Sequence, residues 1–477
     1  MRPGFRPPVR AILLGTVLTA AAGSARAQCA APGFAGPGTW RQYASPEEAG
    51  FSAGALEQAR QRADSVQSAA VMAVYRGAVL VAWGDVERKL ELHSVRKSLL
   101  SALMGQLAEA GGIDLDATLA SLGVDDIQPL TTGERTARVR DLLAARSGVY
   151  LPAAYAPSDQ DTERPARGAY APDTHWFYNN WDFNVAEALY EQAAGASEYQ
   201  AFAERIAGPL GMEDYAPSDG FLAYEPSASR FPAHTFRMST RDLARFGQLY
   251  LQNGCWGGRQ VLPAGWVEES TRPRSSLGEG QGYGYLWWTY GPGSLSPDQY
   301  PHLSQLALYV ARGTGGQGIF VVPAADLVVV HRGDTDHGRS VRGPDVWAIV
   351  ESILAARRGP PASNPRLRPM ESRALASQLP VLVWPSVVDA DPATMESYYG
   401  AYEIAAGAVV RVFSWEARTI ITVPGEGEAE LLRTGEDEFT IRVAPGVRVR
   451  FDRDGAGRVV GLTMTMGPRT LRARRLD

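Results

Sequence analysis

The 477 residues are 45% hydrophobic and 21% charged, an ordinary composition for a folded chain, with length for two or three domains. A formal net charge of −5 without a basic cluster argues against nucleic acid as a partner. Six scattered histidines and two cysteines lack the paired spacing of a zinc site, so no metal is expected.

The N-terminus reads as a secretory signal over residues 1–27. Arg2, Arg6 and Arg10 supply the basic segment, 11–22 an apolar run too short to span a bilayer, and Ala25-Arg26-Ala27 a small-x-small cleavage site. Its removal leaves a more acidic chain with no stable membrane span, expected in the periplasm or secreted. Export would put Cys29 and Cys255 where disulfides persist; a single pairing and two unpaired thiols both fit the sequence.

Residues 70–83 predict a hairpin, with apolar runs flanking Arg76-Gly77. A long helix starts near Ser94, carries Leu99, Leu100, Leu103, Met104 and Leu107 at helical spacing, and ends at Gly111-Gly112. Helical and loop signals continue to about residue 280, including a helix over 239–252 opened by Ser239 and Asp242 in a capping-box-like pattern. Strands are predicted over 283–288, 307–310, 319–322 and 327–330, followed by a helix over 346–357. Early and late strands are expected to share one antiparallel sheet, with the middle of the chain inserted as a mainly helical region. A Pro- and Arg-bearing linker is expected over 358–391. Short alternating runs over 392–477 predict a small all-β barrel or sandwich.

Three segments carry chemistry. Lysine is scarce, with Lys89 and Lys97 the only two beside 45 arginines. Lys97 stands three residues after Ser94 at the start of the long helix, where both side chains share one face. A buried lysine, unlike arginine, can lose its proton and take one from a serine. In Trp176-Phe177-Tyr178-Asn179-Asn180-Trp181, a phenol made more acidic by a nearby cation could exchange protons with Ser94 and a leaving group, and the Asn180 amide could bind a substrate carbonyl. Arg312-Gly313-Thr314-Gly315-Gly316-Gln317-Gly318 precedes a strand, and its glycines allow close approach to a substrate. Trp181, Tyr150 and Trp287 could line the pocket or simply pack.

In this order and separation, the three segments resemble the serine β-lactamase and penicillin-binding-protein superfamily. The likeness is to its class C-like branch of esterases, D-amino-acid peptidases and 6-aminohexanoate-dimer hydrolases. It covers roughly 45–357 and includes Val139-Arg140-Asp141-Leu142-Leu143 leading to Ser147-Gly148, and the run from Arg237 to Ala244. Residues 392–477 resemble a lipocalin-like domain. The resemblance implies an α/β fold, an antiparallel sheet flanked by helices with a helical insert. It divides the chain into a hydrolase domain over 28–357, a linker over 358–391 and a β domain over 392–477.

By this resemblance Ser94 is the nucleophile, Lys97 and Tyr178 share the base role, and Tyr178 protonates the leaving group. Asn180, Thr314, Gly315 and Gly316 bind substrate, with the amides of Ser94 and Gly316 as the oxyanion hole. No cofactor is implied. The partner is a small ester, amide or peptide-like substrate. Relatives usually carry Lys or His where this chain has Gly313, and that cation helps bind a substrate carboxylate. Its absence favours an esterase or amidase over a β-lactamase or D-alanyl-D-alanine carboxypeptidase. A catalytically silent binding protein on the same fold is the alternative from another class.

Overall fold

The structure is a computed structural model that describes Cys29 and residues 38–383 and 385–476; the expected signal segment lies outside them. A ten-stranded sheet forms the centre, in the order Leu367–Pro369, Arg41–Tyr43, Ala78–Gly84, Ser68–Tyr75, Leu327–Gly333, Gln317–Val322, Leu308–Gly313, Trp288–Tyr290, Gln281–Tyr283 and Ser275–Gly278. Early and late strands meet where Ser68–Tyr75 pairs antiparallel with Leu327–Gly333. The sheet is mixed, because Arg41–Tyr43 runs parallel to Ala78–Gly84.

The predicted hairpin forms around Arg76 and Gly77, both at positive φ (50° and 79°), as a tight two-residue turn requires. Ser68–Tyr75 is buried on both faces, so it reads as an unbroken apolar run. Ala70, Met72 and Val74 enter the core shared with the helical insert, while Val71, Ala73 and Tyr75 enter the core on the opposite face. That second face is covered by the helices Ala53–Ser65 and Gly343–Ala355. The helix Arg96–Glu109 is buried around most of its circumference, Arg96, Lys97, Ser98 and Ser101 included, so it runs inside the domain rather than on its surface.

Two expectations over the later strands change. Residues 283–288 are two strands rather than one, because Leu286 turns the chain at φ 64° between Gln281–Tyr283 and Trp288–Tyr290. That turn presents the carbonyls of Tyr285 and Leu286 to the hydroxyls of Ser101 and Ser98 on the central helix. The segment expected as a linker contributes the edge strand Leu367–Pro369, which pairs with Arg41–Tyr43. Ser239 caps the helix Thr240–Leu251 as expected, accepting from the Asp242 amide. The Asp242 carboxylate instead accepts from the amides of Glu213, Asp214 and Tyr215. Cys29 and Cys255 form a disulfide, with Cα atoms 5.7 Å apart.

At the C-terminus eight antiparallel strands from Gly400–Ala405 to Arg469–Arg475 close into a barrel. Closure removes the exposed strand edges of a small sheet. The barrel's two ends differ. Tyr398, Phe439 and Phe451 pack together at one end, with ring centres 4.7 to 5.2 Å apart. Ile421, Ile441, Met464 and Met466 occupy the other. The barrel docks on the 224–227 segment of the hydrolase body. There the Ser227 amide donates to Glu428 (2.9 Å), and Arg418 lies 4.2 Å from the centre of the Tyr224 ring.

Candidate active site

Ser94 sits on the single helical turn His93–Val95 that leads into Arg96–Glu109. Three-residue spacing brings Lys97 onto the same face, with its Nζ 2.8 Å from Ser94 Oγ. The amine is buried and lies 4.9 and 4.8 Å from the ring centres of Tyr178 and Phe183. Among the described residues no carboxylate forms an ion pair with it. Burial, and then repulsion from the Arg96 guanidinium, hold Lys97 well below the usual lysine range. Arg96 itself is buried against Glu187 and Asn184.

Tyr178 reaches the same point from the residues just before the helix Asn180–Ala194, near enough to Ser94 for that side chain to act on its phenol. The expected acidification does not occur. Burial pushes the phenol up to about 12, and the Ser94 side chain, Arg96 and Arg312 offset that only in part. Its loop is tightly tied. Asn179 caps the helix by accepting from the Trp181 amide and donates to the Val149 carbonyl (2.7 Å) and to the buried Asp182 (2.8 Å). Ser147 also donates to Asp182.

Asn180 is close by but engaged. Its side-chain amide donates to the Tyr155 carbonyl at 2.6 Å, and its backbone N–H donates to Gln160 at 3.3 Å. It therefore holds the 155–160 loop over the site. That loop brings in groups that sequence reasoning missed. The Tyr155 hydroxyl donates to the buried Glu91 carboxylate and lies 3.1 Å from His93 Nδ1, whose Nε2 is 2.9 Å from Thr335 Oγ1. Burial pushes Glu91 up to about 7, partly offset by Tyr155, and pushes His93 down to about 4, reinforced by Arg332. Arg332, wholly buried, donates to the carbonyls of Leu90, Glu91 and Met238 and so fixes the strand that leads to Ser94. The only sequence signal was the position of Glu91 and His93, ionisable residues flanking Ser94 among apolar neighbours.

The glycine-rich segment borders the cleft beside Ser94. A Cβ on Gly313 would stand 2.5 Å from the Leu92 carbonyl oxygen and 3.2 Å from the Ser94 amide nitrogen. Position 313 thus has no room for any side chain, which explains the missing cation physically. Thr314 lines the cavities that hold Ser94. Gly315 and Gly316, at φ 79° and 87°, border a small pocket with Val341 and Trp347, and the Gly316 carbonyl is 2.6 Å from His331 Nδ1. Arg312 does reach the cleft. It donates to the Tyr290 hydroxyl at 3.0 Å, and its guanidinium lies 5.0 Å from the Trp288 ring centre. Trp181, Tyr150 and Trp287 are buried and pack in the core.

Ser94 opens onto two cavities. One, of about 410 Å³, is an aromatic cleft lined by Trp176, Phe177, Tyr178, Trp288 and Arg312. The other, also about 410 Å³, lies between His93, Tyr155 and Asn180 on one side and the open end of the barrel on the other. Among the described residues no cluster of His, Cys, Asp or Glu is placed to hold a metal ion, and no helix is long and apolar enough to cross a membrane.

The fold and the family follow from these features. A sheet with a helical insert, carrying Ser-x-x-Lys at the start of its central helix, defines the β-lactamase fold, and residues 54–341 match the beta-lactamase family model. The chain belongs to the beta-lactamase family. Among solved structures it is similar to a penicillin-binding protein homologue from Caulobacter crescentus, at 14% identity and TM-score 0.50 over 67% of this chain and all of that one. A penicillin-binding protein homologue from Pyrococcus abyssi is 14% identical, with TM-score 0.48 over 88% of this chain and 100% of that one. A candidate 6-aminohexanoate-dimer hydrolase from Bacillus anthracis is 19% identical, with TM-score 0.47 over 62% of this chain and 80% of that one. At these identities the likeness concerns the fold alone. No curated protein sequence matches the chain.

Proposed function

We propose that the protein is an exported serine hydrolase, periplasmic or secreted, that cleaves small esters or amides through an acyl-enzyme on Ser94. One observation carries the reading: a buried lysine without a carboxylate ion pair, 2.8 Å from a serine hydroxyl and 4.9 Å from the ring centre of Tyr178. A surface Ser-x-x-Lys pair would leave its lysine charged and solvated.

Neutral Lys97 takes the Ser94 proton as Oγ attacks the substrate carbonyl carbon. The negative charge that develops on the carbonyl oxygen is held by the backbone amides of Ser94 and Gly316, the pair that the resemblance implies. Each such donor contributes about 3 kcal/mol to the transition state. Tyr178, still protonated at neutral pH, gives its proton to the departing oxygen or nitrogen and regains one from Lys97. Water then attacks the acyl-enzyme with the same groups acting in reverse, releasing the acid and free Ser94.

The crowding at Gly313 favours esters and amides without a carboxylate near the scissile bond. Arg312 supports a second reading, a β-lactamase or D-alanyl-D-alanine carboxypeptidase, because its guanidinium borders the cleft on the Tyr178 side. Purified protein tested on a short-chain nitrophenyl ester and a chromogenic cephalosporin side by side separates the two. Ester turnover with negligible cephalosporin turnover is the expected result, and the reverse would replace the first reading with the second.

A further inference from the structure

The cavity on the barrel side of Ser94 is the mouth of the barrel itself. Ile421, Val423, Ile441 and Met464 belong to the barrel's apolar core and also line this cavity, together with Ser94 and Thr314. Pairing along the strands shows how this arises. Ile441 faces Ala444, and Val447 faces Met466, at the end next to the hydrolase body. Phe439 pairs with Val449, and Phe451 with Leu462, toward the other end. The aromatic cluster of Tyr398, Phe439 and Phe451 packs toward that end, and the cavity at the opposite end is shared with Ser94.

Which part of a substrate enters follows from the position of Tyr178. The group that hands a proton to the leaving atom must lie on the leaving group's side of the carbonyl. Tyr178 lines the aromatic cleft and not the barrel mouth. The leaving group therefore occupies the aromatic cleft, and the acyl group points into the barrel. No Lys or Arg is among the described residues lining the mouth, whereas Glu225, Glu426 and Glu428 border it and Glu225 and Glu428 accept backbone N–H groups. An apolar wall with acidic groups suits an acyl chain that is long, apolar and free of negative charge.

Resting on the serine-hydrolase reading, we propose that the C-terminal barrel is the acyl-binding site of this enzyme, and that its mouth selects uncharged apolar acyl chains. Two measurements test this. With nitrophenyl esters that share one leaving group, kcat/KM should rise by about tenfold or more from acetyl to octanoyl. Ala444→Trp, and independently Ala429→Phe, should abolish that rise while leaving acetyl turnover within about threefold, since both residues belong to barrel strands that line the mouth and an acetyl group is too short to extend along it. The second measurement does not depend on turnover. Calorimetry on the Ser94→Ala protein should show decanamide binding at least about tenfold more tightly than acetamide. The same chain ending in a carboxylate should bind more weakly than decanamide. Decanamide binding without ester turnover would keep the barrel site and reject the hydrolase reading. Ester turnover that is flat or falling with chain length, with decanamide bound no better than acetamide, would reject the barrel site and keep the hydrolase.

Discussion

Lys97 Nζ and Ser94 Oγ are 2.8 Å apart in a buried setting where the amine is bounded by the rings of Tyr178 and Phe183 rather than by a carboxylate. Burial removes much of the amine's preference for the charged form, which is what allows it to accept a proton. Lys97→Met is expected to lower kcat/KM by about 10³-fold or more, in the range for a lost general base. Lys97→Arg should not rescue activity at any pH, because a guanidinium does not give up its proton. The Met variant also removes a costly buried amine, so its thermal midpoint should be equal to or above the parent's. Substantial activity in the Arg variant would contradict the role.

The pH profile follows from the same pair. The proposed mechanism needs Lys97 neutral and Tyr178 protonated. Lys97 is depressed and Tyr178 lies at about 12, so kcat/KM should rise as pH climbs through the lysine's lowered value and then stay level into the alkaline range. An acid limb that persists unchanged in a variant of another ionisable group, but shifts when Arg96 is replaced, would tie it to Lys97. Removing the Arg96 charge relieves repulsion and should move the limb to higher pH.

Tyr178→Phe keeps the ring packing against Trp288, 5.5 Å between centres, and Phe183, 4.9 Å, while removing the proton donor. Amides and alkyl esters leave only when protonated, whereas nitrophenolate leaves unaided. The variant should therefore lose about 10² to 10⁴-fold on an alkyl amide and far less on a nitrophenyl ester. Equal losses on both would remove Tyr178 from leaving-group protonation.

Gly313→Ala places a methyl group 2.5 Å from the Leu92 carbonyl oxygen and 3.2 Å from the Ser94 amide. The backbone that must give way includes the Ser94 amide, the proposed oxyanion donor. A loss of about 10² to 10³-fold in kcat is expected, with stability lowered by about 1 to 3 kcal/mol. Activity within a few-fold of the parent would show that the strand is not held against Ser94.

The Glu91, Tyr155 and His93 cluster has a signature in stability rather than rate. Burial raises Glu91 from 4.5 to about 7, so the folded state holds its proton more tightly than the unfolded chain does. That contribution is fully present below pH 4.5 and is lost as pH rises toward 7. His93 and His331, each lowered to about 4, act in the opposite direction between 4 and 6.5. The parent's net curve therefore mixes the two, and the comparison with Glu91→Gln isolates the carboxyl. The variant should gain on the parent by up to on the order of 3 kcal/mol between pH 4.5 and 7, read from denaturant midpoints.

Legibility in the sequence tracked distance along the chain. Ser94 and Lys97 are one helical turn apart, and periodicity alone places them on one face. The hairpin at 76–77 and the apolar strands were similarly local, as was the Ser239 cap. Tyr155, in contrast, reaches Glu91 and His93 across more than sixty residues, and nothing in its immediate neighbours marks it. A backbone turn accounts for another miss. Positive φ at Leu286 breaks an apolar run into two strands. The edge strand Leu367–Pro369 is only three residues long, too short to register in a Pro- and Arg-bearing stretch. The barrel's strands could be read from alternation, but the direction in which its mouth faces could not, because that depends on contacts such as Ser227 with Glu428.

The proposed reaction passes through a covalent acyl-enzyme on Ser94. Intact-protein mass spectrometry after treatment with a small fluorophosphonate, followed by peptide mapping, tests it most directly. One adduct per chain on the peptide bearing Ser94, absent from Ser94→Ala and strongly reduced in Lys97→Met, is the predicted result. An adduct elsewhere, or labelling unchanged in Ser94→Ala, would contradict it.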